Sequence, residues 1–269
     1  MHLKRWLTGI IAFPILIFFI GFGPRWSFYS LLYAVSLVGL IEFYSMTASD
    51  LPRFVRWCSY FLTFLLFFVI YVRQVLFVPV VIALLVFIPM TFYVFIRHPP
   101  VQQNSADISK SVLGPLYVGL PLILLLHIDR YYPDRGNIWI FFLLVVIFAN
   151  DTGAFYFGRL FGKHKLHQAI SPGKTWEGAI GGLLSSLVAA ILFLHIIDLH
   201  HINPNILILV FALSISGQIG DLAESMLKRS HNVKDSGQIL PGHGGILDRI
   251  DSLLFSIPIL YVYLSFCIV

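Results

Sequence analysis

The chain has 269 residues, 58% of them hydrophobic and 12% charged, with a mean hydropathy of +0.86. A soluble domain carries about 25% charged residues, so this composition excludes one and leaves a polytopic integral membrane protein. The net charge of +5 fits basic loops flanking a bilayer, not a nucleic-acid partner.

A spanning helix needs about 20 mainly apolar residues. Nine stretches qualify: roughly 6–22, 27–47, 54–71, 75–96, 111–128, 137–158, 175–197, 204–224 and 249–268. The runs are continuous and lack the alternation of a β-barrel, so the expected fold is all-α, a helix bundle. Only Val72, Arg73 and Gln74 separate the third run from the fourth. Lys4 and Arg5 before an apolar run resemble a signal peptide, but the run is long and has no small-residue cleavage site. It reads as an uncleaved first span. Cys58 and Cys267 lie in apolar segments and read as buried small hydrophobes, with no disulfide framework and no metal-ligand spacing.

With nine spans and a cytoplasmic N-terminus, fourteen lysines and arginines fall inside and four (Arg25, Arg73, Arg130, Arg135) outside. That asymmetry is what the positive-inside rule asks for. Residues 1–136 read as scaffold spans. Residues 137–269 read as the catalytic region of the same integrated membrane domain, because ionisable groups begin to appear within or at the ends of spans there.

Asp151 interrupts the sixth run. It reads as an interhelical hydrogen-bonding group or as part of a metal or substrate site. Ser171-Pro172-Gly173-Lys174-Thr175 opens the seventh run, with Ser171 placed as N-cap and Pro172 as first helical residue. That leaves free N–H groups and a lysine for a phosphate, or only an ordinary cap. A Walker A loop is excluded, because position 168 is Gln168 and no strand is expected before it. Glu177 could cap, pair with Lys174 or join the site. Gly178 and Gly182 form a GxxxG, which favours close helix packing.

Asp221 and Glu224 share a helix face at i, i+3, and Lys228 lies on the same face. Asp248 and Asp251 repeat that spacing at the start of the ninth run, with Arg249 between them. Paired carboxylates suit a hard cation such as Mg²⁺, which binds through few carboxylates and substrate phosphates. Gly242-His243-Gly244-Gly245 precedes them, and its glycines let backbone N–H groups approach an anion. His243 could bind phosphate, move a proton or brace the turn. In the nine-span arrangement every one of these groups falls on the cytoplasmic side.

The segment Ser225–Asp251, SMLKRSHNVKDSGQILPGHGGILDRID, resembles the signature of the phosphatidate cytidylyltransferases, the CDP-diacylglycerol synthases. Gly158–Gly162, Ser171–Thr175 and Gly220-Asp221 match that family too. The resemblance covers roughly residues 145–255. It implies a nucleotidyltransferase of phospholipid biosynthesis, making CDP-diacylglycerol and pyrophosphate from CTP and phosphatidate with Mg²⁺. It further implies a homodimer and a site on the cytoplasmic face of the inner membrane. Four carboxylates have room for a second cation.

On that resemblance Asp221, Lys228, Asp248 and Asp251 are the catalytic group. Asp151, Asp221, Asp248 and Asp251 are the metal-side carboxylates. Ser171, Lys174, Thr175, Arg229, Lys234, His243, Gly244, Gly245 and Arg249 are the substrate-binding set. The competing readings are another CTP-dependent lipid enzyme, such as a polyprenol kinase, and an ion transporter.

Overall fold

A computed structural model of the chain describes residues 14–96, 101–132, 135–239 and 244–267, the side chains of 101–103 excepted. Its long helices are α1 (Arg25–Thr47), α2 (Arg53–Tyr71), α3 (Val78–Phe95), α4 (Val101–Gly114), α5 (Leu120–Tyr131), α6 (Gly136–Phe161), α7 (Trp176–Ile197), α8 (Pro204–Ser230) and α9 (Leu247–Cys267). A π turn, Pro115–Gly119, joins α4 to α5. One antiparallel hairpin, β1 (Lys165–His167) and β2 (Ser171–Thr175), lies between α6 and α7.

Eight helical stretches among the described residues are long and apolar enough to cross a membrane. They match the second to ninth expected spans. The fifth is longer than expected, Asn104–Tyr131, and the eighth runs on to Ser230. Most of the first expected span lies outside the described residues; residues 14–22 are helical, ending in a π turn. The chain is an all-α, multi-pass membrane protein. The break between the third and fourth runs is real: Arg73 adopts a left-handed φ of 61°, which stops α2. Both cysteines are free thiols, but neither is buried: Cys58 is half-exposed and Cys267 exposed, as suits side chains on a lipid-facing surface.

The chain divides into two compact units. The first comprises Met1–Arg130 and Asp235–Leu247, the second Tyr131–Lys234 and Asp248–Val269. In the first unit α1 supplies much of the core, with Phe28, Leu40, Phe43 and Tyr44 fully buried. Pro115 has no N–H to give the carbonyl of Ser111. Tyr44 donates its hydroxyl to that carbonyl at 2.8 Å and Ser59 at 3.3 Å. A polar group freed at membrane depth is thereby satisfied from neighbouring helices. Asp129 is held by Arg25 and by the Tyr29 hydroxyl at 2.9 Å.

In the second unit α6 packs along α7 over small residues. A Cβ on Gly182 would sit 2.7 Å from the carbonyl oxygen of Asn150, and one on Gly178 2.8 Å from that of Ala154. The GxxxG is therefore a packing device, since only hydrogen at those positions lets the backbones approach. Asn150, fully buried, joins three helices. Its Oδ1 accepts from Ser214 at 2.6 Å and Gln218 at 3.0 Å, and Gln218 also donates to the carbonyl of Ala179 at 3.0 Å. At the opposite end of this unit, the Tyr132 hydroxyl donates to the carbonyl of Leu264 and Arg135 to that of Leu199, both at 2.8 Å.

Candidate active site

The hairpin decides how α7 begins. Ser171 is not the N-cap: Ser171–Thr175 is extended and paired with β1, Ser171 opposite His167 and Thr175 opposite Lys165. Thr175 is the cap, its hydroxyl accepting from Gly178 N–H at 3.1 Å. A short strand does precede the Gly-Lys-Thr, contrary to expectation, although Gln168 still denies it a Walker A loop. The pairing removes the backbone from the helix register because Pro172 and Gly173 favour extended and turn conformations over helix. Glu177 fastens the hairpin's base. It accepts from the N–H groups of Lys163 at 3.1 Å and His164 at 3.2 Å, with His164 Nδ1 2.6 Å away.

This geometry presents Lys174 to α8. Its ammonium lies 2.6 Å from Asp221 Oδ2. Two turns along, Lys228 lies 2.7 Å from Glu224 Oε2 and 2.6 Å from Asp248 Oδ1, joining the end of α8 to the start of α9. Asp151, on α6, interacts electrostatically with Asp221 and Asp251, and Asp251 with Asp221 and Glu224. Asp251 is buried, and its Oδ1 accepts from Ser252 N–H at 2.7 Å. Five carboxylates thus gather around two ion-paired lysines at one end of the second unit.

Such an acidic surplus asks for a cation. Carboxylate oxygens are hard donors and suit Mg²⁺. Glu224 is buried between Lys228, which donates to its Oε2 at 2.7 Å, and Asp251. Among the described residues no group of three His, Cys, Asp or Glu side chains is arranged to hold a metal ion by itself. The carboxylates that could contribute to holding one are those of Asp151, Asp221, Asp248 and Asp251, of which Asp221 is paired with Lys174 and Asp248 with Lys228.

The remaining expected residues distribute unevenly. Arg229 reaches the carbonyl of Ile170 at 3.4 Å, so it borders the hairpin. Lys234 and Arg249 are exposed. Gly244 has a φ of 82°, a conformation glycine adopts without strain. Gly245 is buried, and a Cβ there would overlap the carboxylate of Glu42. His243 lies outside the described residues. The N–H groups of Ile246 and Leu247 do meet an anion, but it is the protein's own Glu42, at 3.0 and 2.9 Å. Glu42 escaped the sequence reading because its half of the chain reads as scaffold. The available signal was an acidic residue inside an apolar span. Asn150 and Gln218 are likewise built into the network without having been assigned to it, whereas Glu224 stands on the face it was expected to share with Asp221 and Lys228.

A sequence profile of the cytidylyltransferase family matches residues 3–267. The chain belongs to the cytidylyltransferase family. A phosphatidate cytidylyltransferase of Bacillus subtilis (strain 168) is 36% identical over 265 residues, which cover 97% of each chain. One of Staphylococcus haemolyticus is 43% identical over 178 residues, 64% of this chain and 66% of that protein. One of Staphylococcus saprophyticus is 44% identical over 175 residues, again 66% of that protein. The staphylococcal matches therefore span about two thirds of those relatives' length. As a cytidylyltransferase-family enzyme the chain is a nucleotidyltransferase.

Proposed function

We propose that this protein is a phosphatidate cytidylyltransferase, converting CTP and phosphatidate into CDP-diacylglycerol and pyrophosphate. The observation that carries the reading is the cluster in which Lys174 and Lys228 are held by Asp221, Glu224 and Asp248, beside Asp151 and Asp251. The names of its relatives and the multi-pass helical fold support it.

A phosphate-monoester oxygen of phosphatidate attacks the α-phosphorus of CTP. A new P–O bond forms, the bond to the β-phosphate's bridging oxygen breaks, and pyrophosphate leaves with the electron pair. The attacking oxygen already carries charge at neutral pH, so no covalent enzyme nucleophile is needed. Catalysis rests on positioning and charge stabilisation. Lys174 and Lys228 exchange carboxylate oxygens for phosphate oxygens as the substrates enter. Arg229, Lys234 and Arg249 add cationic charge, and Ser171, Thr175, His243, Gly244 and Gly245 are further phosphate-side groups. Asp151, with Asp221 and Asp248 once their lysines turn to phosphate, and Asp251 are the carboxylates that would hold a metal ion. Mg²⁺, when bound there, would neutralise the phosphates and draw charge from the leaving group, and a second cation would extend the same effect.

The acyl chains approach from the bilayer. The excess of basic residues in alternate loops supports a multi-pass protein of the cytoplasmic membrane, N-terminus inside, with the site facing the cytoplasm. Cysteine-labelling from either side of the membrane at residues 49 and 232 tests this, and labelling from outside would reverse the orientation. The family resemblance supports a homodimer, and a monomeric mass by light scattering in detergent would refute it.

The decisive assay incubates purified protein with CTP labelled at the α-phosphate, Mg²⁺ and phosphatidate. Label in the lipid phase with stoichiometric pyrophosphate is expected. Labelled CDP left in water would overturn the reading in favour of a kinase acting on a lipid alcohol. Label remaining entirely in CTP would exclude both.

A further inference from the structure

Glu42 is the only charged residue between Trp26 and Thr47, a stretch that otherwise consists of apolar and small polar side chains. It is 3% exposed. An acidic group at membrane depth is costly and persists where something compensates it. Its described partners all come from one distant segment, 235–247. Oε1 accepts from Ile246 N–H at 3.0 Å; Oε2 accepts from Leu247 N–H at 2.9 Å and from the Ser236 hydroxyl at 3.3 Å.

Ile246 and Leu247 open α9, where backbone N–H groups have no partner within the helix. A carboxylate there meets both the unpaired donors and the positive end of the helix dipole. Hydrogen bonds to a charged acceptor are also roughly twice as strong as neutral ones. Two glycines make room for it: a Cβ on Gly237 or Gly245 would overlap the carboxylate. The segment's polar donors and its glycines are thus shaped around Glu42. The amides that an incoming phosphate would otherwise meet at this helix end are already taken.

We infer that Glu42 is a positioning residue for the cytidylyl transfer. It acts as an internal anion that ties Ser236 to the amides of Ile246 and Leu247 and so fixes the peptide leading directly into Asp248. The inference rests on Asp248 serving the reaction as proposed above. Glutamine at position 42 keeps the shape but loses the charge. Its amide NH₂ cannot accept from an N–H, so one of the two backbone bonds is lost.

The test uses the full-length protein in phosphatidate-containing micelles, wild type against Glu42→Gln. Backbone hydrogen exchange is followed for peptides covering 236–249 and for control peptides from α6 and α7, alongside kcat and the KM values. The expected result is exchange at least tenfold faster in 236–249 and unchanged in the controls. With it, kcat falls at least tenfold while the KM for phosphatidate stays within twofold. Wild-type kcat, unaltered exchange in 236–249, or acceleration shared equally by α6 and α7 would each overturn the inference. Should Glu42→Gln fail to fold, Gly237→Ala, which intrudes on the same carboxylate, is measured identically and judged by the same results. A wild-type protein that makes no labelled lipid would instead refute the proposed activity, and the exchange result would remain readable by itself.

Discussion

Lys228 Nζ lies 2.6 Å from Asp248 Oδ1, tying the last turn of α8 to the first turn of α9. Twenty residues separate the two in the chain. The bond is largely shielded from water, with side-chain exposures of 13% and 7%. Glu224, on the other side of the same ammonium, has no exposed side-chain surface. Lys228 is therefore a strut between the two helices, and in the proposed mechanism it is also a phosphate-binding cation.

Replacing Lys228 with methionine keeps most of its volume and strands two carboxylates. Removing one partner of a buried pair costs about 3–5 kcal/mol. Lys228→Met should lower thermal stability in detergent and reduce activity at least a hundredfold. Unchanged melting temperature together with unchanged turnover would refute the strut and the catalytic role at once.

Lys174 and Asp221 form a partly exposed pair at 2.6 Å, so its direct contribution to stability is about 1 kcal/mol at most. Its importance should be kinetic. Lys174→Ala is expected to raise the KM for CTP at least tenfold with little change in melting temperature. Asp221→Asn should lower turnover by about a hundredfold or more, and the double variant should be no worse than Asp221→Asn alone. Strictly additive losses would show that the two side chains act independently.

Asp221→Asn and Asp248→Asn should each reduce activity by about a hundredfold or more, the range typical for loss of one group stabilising transition-state charge. Both proteins should still insert and purify. EDTA should stop the wild-type reaction and added Mg²⁺ restore it. Near-normal turnover of either variant, or full activity in EDTA, would sink the proposed division of labour among the acids.

Gly182→Val places side-chain atoms where the Asn150 carbonyl now lies 2.7 Å from an added Cβ. Overpacking of this kind costs about 1–3 kcal/mol. It also pushes on Asn150, the neighbour of Asp151. A lower melting temperature and reduced activity are expected together, with the hydrogen-exchange change concentrated in α6 and α7. A variant as stable as wild type would show that the two helices are not in close contact there.

Much of this arrangement is legible before any coordinates. Spacing alone puts Asp221, Glu224 and Lys228 on one face, and Lys228 does bond Glu224. The glycines at 178 and 182 are where close helix packing needs them. The start of α7 is not legible in the same way. Ser171-Pro172 has the form of a cap and first turn, yet that stretch is a strand and Thr175 is the cap. A local cap signal loses to the pairing with Lys165–His167, which contributes backbone hydrogen bonds that the isolated sequence does not reveal.

The sequence by itself determined which stretches are long and apolar enough to span a membrane, and which acids share a helix face. Both follow from local quantities, hydropathy summed over about 20 residues and the helical repeat. The tertiary structure decided who faces whom: Lys174 with Asp221, Lys228 with Asp248, and Glu42 with the amides of Ile246 and Leu247. A carboxylate's position in the chain says that it needs a partner, because burying it alone is costly. Which donor arrives depends on how separate helices and loops pack, and no short-range pattern records that.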